Sequence, residues 1–186
     1  MDAMEDPSET LREEHAAVEH LLAAIDGLAE HVRKSERVPA KDFEQAMTVV
    51  TEFADRCHHA KEEKVLFPAL SKASPKVGAE IARRLTSDHE AFRRLVASTR
   101  DLMPKADEPQ ARSLLVKNLG TYTRLLREHI LVENEQLLPE VARSLTPAER
   151  ARIAEEFERV EEAEVGRGMH EKYHAMIHAL ADKYAG

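Results

Sequence analysis

His58–Leu70 reads HHAKEEKVLFPAL and His129–Val141 reads HILVENEQLLPEV. Set one under the other, each gives His-x-x-x-Glu, two apolar residues eight and nine positions after the histidine, and proline at ten. His58, Glu62, Leu66, Phe67 and Pro68 therefore correspond to His129, Glu133, Leu137, Leu138 and Pro139. One further histidine precedes each copy: His15, in LREEHAAVEHLL, by 43 residues, and His89, in TSDHEAFRRLV, by 40. Side chains four apart on an α-helix lie on one face, a turn apart, so the histidine and glutamate of each copy reach toward one point. At roughly 1.5 Å rise per residue, an interval of about 40 residues holds one helix of about 25, a link and much of a partner helix. Each lone histidine can then stand level with its partner's pair. The pattern predicts two helix pairs that aim four imidazoles and two carboxylates at one buried locus.

The surrounding sequence supplies the helices. Asp6-Pro7-Ser8-Glu9 has the cap, first-turn proline and acid of a helix start. Leu11, Val18, Leu21, Leu22, Ile25 and Leu28 follow with a helical period. A second helix is expected after Pro39, through FEQAMTVVTEFADRCHHAKEEKVLFPALSKA, a third after Ser74-Pro75, and a fourth from near Pro109 through REHILVENEQLLPEVARSL. Thr146-Pro147-Ala148-Glu149 repeats the start signal for a fifth segment ending near Glu164. After Gly166 and Gly168 a short last helix is expected from His170 to about Lys183. No stretch alternates as a strand does. The expected fold is all-α: an antiparallel up-and-down four-helix bundle over residues 7–145, with a helical extension over 146–186 packing on it.

With 186 residues, 42% hydrophobic but only 4% aromatic, the core must be built of Leu, Val, Ile and Ala. A formal charge of −8, with basic residues scattered among acids, argues against nucleic acid and anionic membrane as partners. No apolar run nears the roughly 20 residues of a membrane-spanning helix. The acidic start MDAMEDPSET lacks the basic and apolar regions of a signal peptide. The single Cys57 excludes an intramolecular disulfide, and a cytoplasmic protein is the expectation.

Four imidazoles and two carboxylates inside a bundle are costly unless something pairs them. Around two divalent transition ions they become ligands: imidazole suits iron and zinc, and carboxylate can bridge two ions. Two histidines and a share in two bridging glutamates leave coordination positions open on each ion. Open positions on iron mean dioxygen, nitric oxide or peroxide chemistry. A single His-x-x-x-Glu on a charged helix is ordinarily a solvated pair. Two copies with matching apolar-apolar-Pro endings, each behind a suitably spaced histidine, are not explained that way.

REEH at His15, HHAKEEKVLFPAL at His58, SDHE at His89 and REHILVENEQLLP at His129 make the chain resemble the hemerythrin-like family, the HHE cation-binding domains, from about Thr10 to Arg143. The resemblance implies a left-twisted bundle around a non-haem centre of two iron ions, oxo- or hydroxo-bridged, that binds oxygen, senses it, or handles nitric oxide and iron. The matching positions are His15, His58, Glu62, His89, His129 and Glu133. Two departures stand out. Oxygen-carrying hemerythrins add a histidine four residues after the one on the third helix, where this chain has Arg93. They close with aspartate five residues after its histidine, where this chain has Glu133 at four. A six-ligand set leaves more open coordination than a carrier needs, which points away from simple storage and toward sensing, scavenging or an oxidase-like role.

Several neighbours have two readings. His59 and Glu63 repeat the pair shifted by one residue; the match to His129 and Pro68 selects His58 and Glu62, leaving His59 facing outward or, with Glu63, supporting the ligands. Glu19, four after His15, reads first as a solvent-exposed acid and second as an added carboxylate. Arg93 reads as a partner of a ligand glutamate or of a bound anion, or as a surface residue. Tyr122, seven before His129, reads as a buried structural tyrosine that could offer its hydroxyl to the metal pocket.

His170-Glu171-x-x-His174 matches the helical signature of zinc proteases, but such enzymes need a third ligand and a cleft with an edge for an extended peptide. The stripe Tyr173, Ile177, Leu180 and Tyr184 instead makes this helix a packing element, as a lid or as the contact of a homodimer. His170, His174 and His178 are a weaker candidate for a second metal site. The functional expectation is a di-iron protein that binds dioxygen or nitric oxide. The alternatives are an oxidoreductase acting on peroxide, nitric oxide or ferrous iron, or an iron donor for iron–sulfur cluster repair.

Overall fold

The computed structural model describes residues 6–185; the first five residues of the acidic start, on which the expectation about a signal peptide rests, lie outside them. Its long elements are α1 (Pro7–Ser35), α2 (Ala40–Val49), α3 (Phe67–Ala73), α4 (Val77–Leu102), α5 (Pro109–Val132), α6 (Leu138–Ser144), α7 (Pro147–Glu164) and α8 (Met169–Tyr184). No strand occurs among the described residues, and no helix there is long and apolar enough to cross a membrane. The helix starts form as their chemistry dictates. Asp6 accepts from the Ser8 N–H at 2.9 Å, and Thr146 and Glu149 close a reciprocal capping box on α7. Between α7 and α8, Gly166 and Gly168 take φ of +89° and +73°, left-handed values that a Cβ would strain.

The second and fourth helices are not uniform α-helix, as the 3.6-residue reading expects. Segments of π-helix, Val50–His59 and Glu62–Leu66, connect α2 to α3, and another, Glu133–Leu137, connects α5 to α6. The two short ones fall at matching places in the repeat. The Phe67 N–H reaches back five residues to the Glu62 carbonyl, and the Leu138 N–H to the Glu133 carbonyl. Pro68 and Pro139 come next and supply the reason: proline has no N–H to give, and its ring collides with the carbonyl four residues back in a tight helix. Each widened turn begins on a glutamate of the repeat, as such turns commonly do at functional sites. The longer run Val50–His59 contains no proline to account for it.

Two apolar clusters form the interior. The larger includes Val18, Leu21, Phe53, Ala54, Phe92 and Leu126; the smaller includes Leu11, Leu66, Leu85 and Leu137. Along α1 the chain leaves the smaller cluster at Leu11 and enters the larger at Val18. From α2 to α3 it passes the other way, from Phe53 to Leu66. Along α4 it runs from Leu85 to Phe92, and from α5 to α6 from Leu126 back to Leu137. Successive rods therefore cross the interior in alternating sense. His15, His58, His89 and His129 each stand at the changeover between clusters.

The last two helices complete the two clusters. Ile153 and Phe157 of α7 join the smaller, and Tyr173, Ile177 and Leu180 of α8 join the larger, where α8 lies along α1 and α2. The apolar stripe of α8 is thus spent inside the chain, and Tyr184 donates its hydroxyl to Asp42 at 2.6 Å. Gly27 makes this packing possible, since a Cβ there would overlap the backbone carbonyl of Tyr184. In an isolated helix Gly27→Ala would stabilise by about 1 kcal/mol. Here the neighbour is backbone and cannot rotate aside, and overpacking costs about 1–3 kcal/mol. Gly27→Ala is expected to lower stability in urea and to speed proteolysis within α8; a more stable variant would contradict this packing.

Candidate metal centre

The six side chains singled out by the repeat converge. His15, His58, Glu62, His89, His129 and Glu133 are all between 0 and 3% exposed. Glu133 stands in the middle: its Oε1 is 2.8 Å from His129 Nε2 and its Oε2 is 3.0 Å from His15 Nε2. His89 Nε2 is 3.0 Å from His129 Nε2 and 3.4 Å from Glu62 Oε2, while His58 Nε2 is 4.0 Å from Glu62 Oε2. Donor atoms of Glu62, His89, His129 and Glu133 lie within 4.8 Å of one another, as do those of His15, His58 and Glu133. Two donor groups therefore adjoin and share Glu133.

Several of these separations are short enough for a hydrogen bond, and His89 Nε2 and His129 Nε2 make one, but the two carboxylates are left unsatisfied. No oxygen of Glu62 or Glu133 has a hydrogen-bond partner, nor has His15 Nε2. Leaving such atoms buried and unmatched is expensive. Donors about 2.1 Å from one ion, at right angles around it, stand about 3.0 Å apart. The nitrogen and carboxylate set fits a divalent transition ion. Cys57 offers no thiolate: burial pushes its thiol up to about 12, and it faces Glu161.

The outer nitrogen of every imidazole is also fixed. His58 Nδ1 lies 2.8 Å from Glu14 Oε2, His89 Nδ1 2.7 Å from Glu63 Oε1, His129 Nδ1 3.3 Å from Asp88 Oδ2, and His15 Nδ1 3.0 Å from Asn134 Oδ1. A proton held on Nδ1 leaves the Nε2 lone pair for the centre, the tautomer that a metal requires. The four contacts form a closed ring. Glu14 of α1 serves the second rod, Glu63 of that rod serves α4, Asp88 of α4 serves α5, and Asn134 of the fourth rod returns to α1.

Electrostatics favour positive charge at this locus. Burial holds His58, His59 and His89 below the ordinary imidazole value, so they are neutral. Burial and the facing Glu133 carboxylate push Glu62 well up. Burial would lower His129, but the charges of Glu133 and Glu62 and the hydrogen bonds to Asp88 and Glu133 together outweigh it and hold the imidazole up at about 10. Protons on Glu62 and His129 are one way to balance two buried carboxylates; a divalent cation is the other.

The neighbours resolve differently. His59 does not face outward: it is 2% exposed, stacks on His89 with ring centroids 3.8 Å apart, and faces Asp55 through Nδ1 at 3.3 Å. Arg93 bonds Asp55 and Glu63 at 2.8 Å each, so its partner is the carboxylate behind His89 and not Glu62 or Glu133. Glu19 stays at the surface with Arg127, 3.2 Å away, and adds nothing to the cluster. Tyr122 is buried edge-on to Phe92.

His170, His174 and His178 are not drawn together as a site, because successive turns of α8 meet different neighbours. His170 Nδ1 faces Glu161 at 3.4 Å, His174 stacks on His170 and meets Phe53, and His178 faces His20. Sequence reasoning missed Glu14, Asp88 and Asn134. Their signal is adjacency: each is the chain neighbour of one candidate ligand and the partner of another on a different helix.

Comparison with known proteins agrees with this geometry. The Hemerythrin HHE cation binding domain matches residues 6–141. Uncharacterized proteins of Mycobacterium tuberculosis and of Mycobacterium bovis are each 24% identical over 162 residues, covering 85% of this chain. The chain spans 62% of the length of these curated relatives. No solved structure matches the chain.

Proposed function

We propose a function on one premise: the chain belongs to the hemerythrin HHE cation-binding domain family. It is a non-haem di-iron protein of the cytoplasm that binds dioxygen or nitric oxide as a sensor or scavenger. Residues 7–145 act as an antiparallel up-and-down four-helix bundle around the metals, and 146–186 as its extension. The alternating passage of the rods between the two apolar clusters and the closed ring of outer contacts support that arrangement.

The observation that carries the reading is the sharing of buried, hydrogen-bond-free Glu133 between two donor groups. His89, His129 and Glu62 would hold one ion with Glu133, and His15 and His58 the other. When bound, iron supplies reversible electron transfer and open positions for a diatomic ligand. The chain's own part is to fix four imidazole tautomers, match the metal charge, and exclude water with an apolar cluster on either side. Six donors for two ions also suit a di-iron oxidoreductase acting on peroxide or nitric oxide, and steady-state turnover would move the assignment there.

Protein purified from iron-replete cells is expected to carry about two iron ions per chain, the number its two donor groups would hold. In air it should absorb in the near ultraviolet by charge transfer, and reductant should bleach the band. Iron-free, colourless protein from such cells would overturn the proposal.

A further inference from the structure

A cleft of about 240 Å³ opens between the π segment Val50–His59 and α4. Its rim carries the exposed Arg93 and Ala97, and Val50 and Val96 wall it; Phe92, His59 and Tyr122, all 4% exposed or less, line its buried floor. The floor is one ring thick. The far side of His59 stacks on His89, at 3.8 Å and 15° between planes, and Phe92 stands edge-on to His129 at 5.1 Å. The His59 Nε2 is buried and has no hydrogen-bond partner.

We propose that this cleft is the access and docking site of a small neutral ligand, a diatomic such as dioxygen or nitric oxide, with His59 and Tyr122 as its polar floor. The inference rests on the di-iron reading of the neighbouring centre. Three observations select the ligand. The deep walls are apolar, which favours an uncharged molecule leaving water. The rim charges are already matched: Arg93 by Asp55 and Glu63, Arg100 by Glu44, so no free cation recruits an anion. The stacked His59 ring separates the cleft from the six donors, so only something slim enough to slip past a ring reaches them. The other depressions at the edge of the centre, beside His15 and beside His129, are fronted by charged groups, Arg12 and Glu19 at one and Arg84, Asp88 and Glu128 at the other.

Val96→Trp fills the cleft without touching a candidate ligand, and Ala97→Leu narrows its rim. Two measurements test the site. Xenon, which occupies dry apolar cavities, is expected to shift amide resonances of Val96 and Ala97 in chelator-treated protein, and Val96→Trp should remove the shift. In reduced, iron-loaded protein, the bimolecular rate of nitric oxide binding is expected to fall at least about tenfold in Val96→Trp, and less in Ala97→Leu, with iron content unchanged. Absence of the xenon shift would overturn the proposal, as would a nitric oxide rate within about twofold of wild type in both variants. Failure to load iron at all would instead strike the di-iron reading, and the xenon result would still decide the cleft.

Discussion

Glu133→Ala is expected to empty both halves of the centre at once, whereas His15→Ala empties only one. Glu133 is the one side chain common to the two donor groups, with separate oxygens 2.8 Å from His129 Nε2 and 3.0 Å from His15 Nε2. His15 belongs to one group only. Substituting an outer partner of a metal ligand typically lowers affinity about 10–100-fold, and removing a shared ligand should exceed that range. Iron measured after gel filtration should therefore fall from about two per chain to a trace in Glu133→Ala and to about one in His15→Ala, as the sharing of one bridging carboxylate requires. Asp88→Ala and Asn134→Ala should load fully at high iron and lose metal to a weak chelator. Far-ultraviolet circular dichroism should stay helical, because the substitution removes a buried carboxylate and leaves both apolar clusters intact. Glu133→Ala that retained one tightly bound iron would break the shared-ligand assignment.

The twinned His-x-x-x-Glu and the lone histidines were legible because helical periodicity and spacing alone place them on one level, and the structure brings all six together. The starts of α1 and α7 were legible because Pro and a capping residue act locally. The π turns at Glu62 and Glu133 were not, although Pro68 and Pro139 announced them: a 3.6-residue template has no place for a widened turn. The outer ring was hidden for another reason. Glu14 lies beside His15 in the chain but serves His58, and a contact across two helices has no fixed spacing to search for. His59 was ambiguous because burial from neighbouring helices, not the period of its own, decides which way it faces. The α8 histidines meet different neighbours because four-residue spacing draws side chains to one point only where neighbouring elements close around them.

Lys61→Met is expected to cost about 3–5 kcal/mol, the range for stripping one partner from a buried ion pair. Lys61 sits among charged residues in HHAKEEK, yet it is 1% exposed. Its Nζ donates to Glu14 Oε1 at 2.5 Å and to Glu161 Oε2 of α7 at 2.6 Å. Glu14 is itself buried and holds His58 through its other oxygen, so this lysine links α7 to the centre. Methionine fills the same volume but leaves the Glu14 charge with one partner fewer. For a chain of this length the loss corresponds to a fall in Tm of roughly 6–20 °C, best measured on chelator-treated protein so that metal binding does not mask it. Glu14→Gln added to Lys61→Met should recover much of the loss, since an amide replaces the uncompensated charge. The pH dependence follows from Glu14. Burial would raise its carboxyl, but the His58 hydrogen bond and the Lys61 charge outweigh burial and hold it down at about 2, from an ordinary value of 4.5. A depressed carboxyl stabilises the fold above its unfolded pKa and ceases to do so as pH falls through the folded one. The stability gap between wild type and Lys61→Met should therefore be full above about pH 4.5 and close toward pH 2. A gap that stayed constant across that range would mean that lost packing, not the Glu14–Lys61 pair, sets the cost.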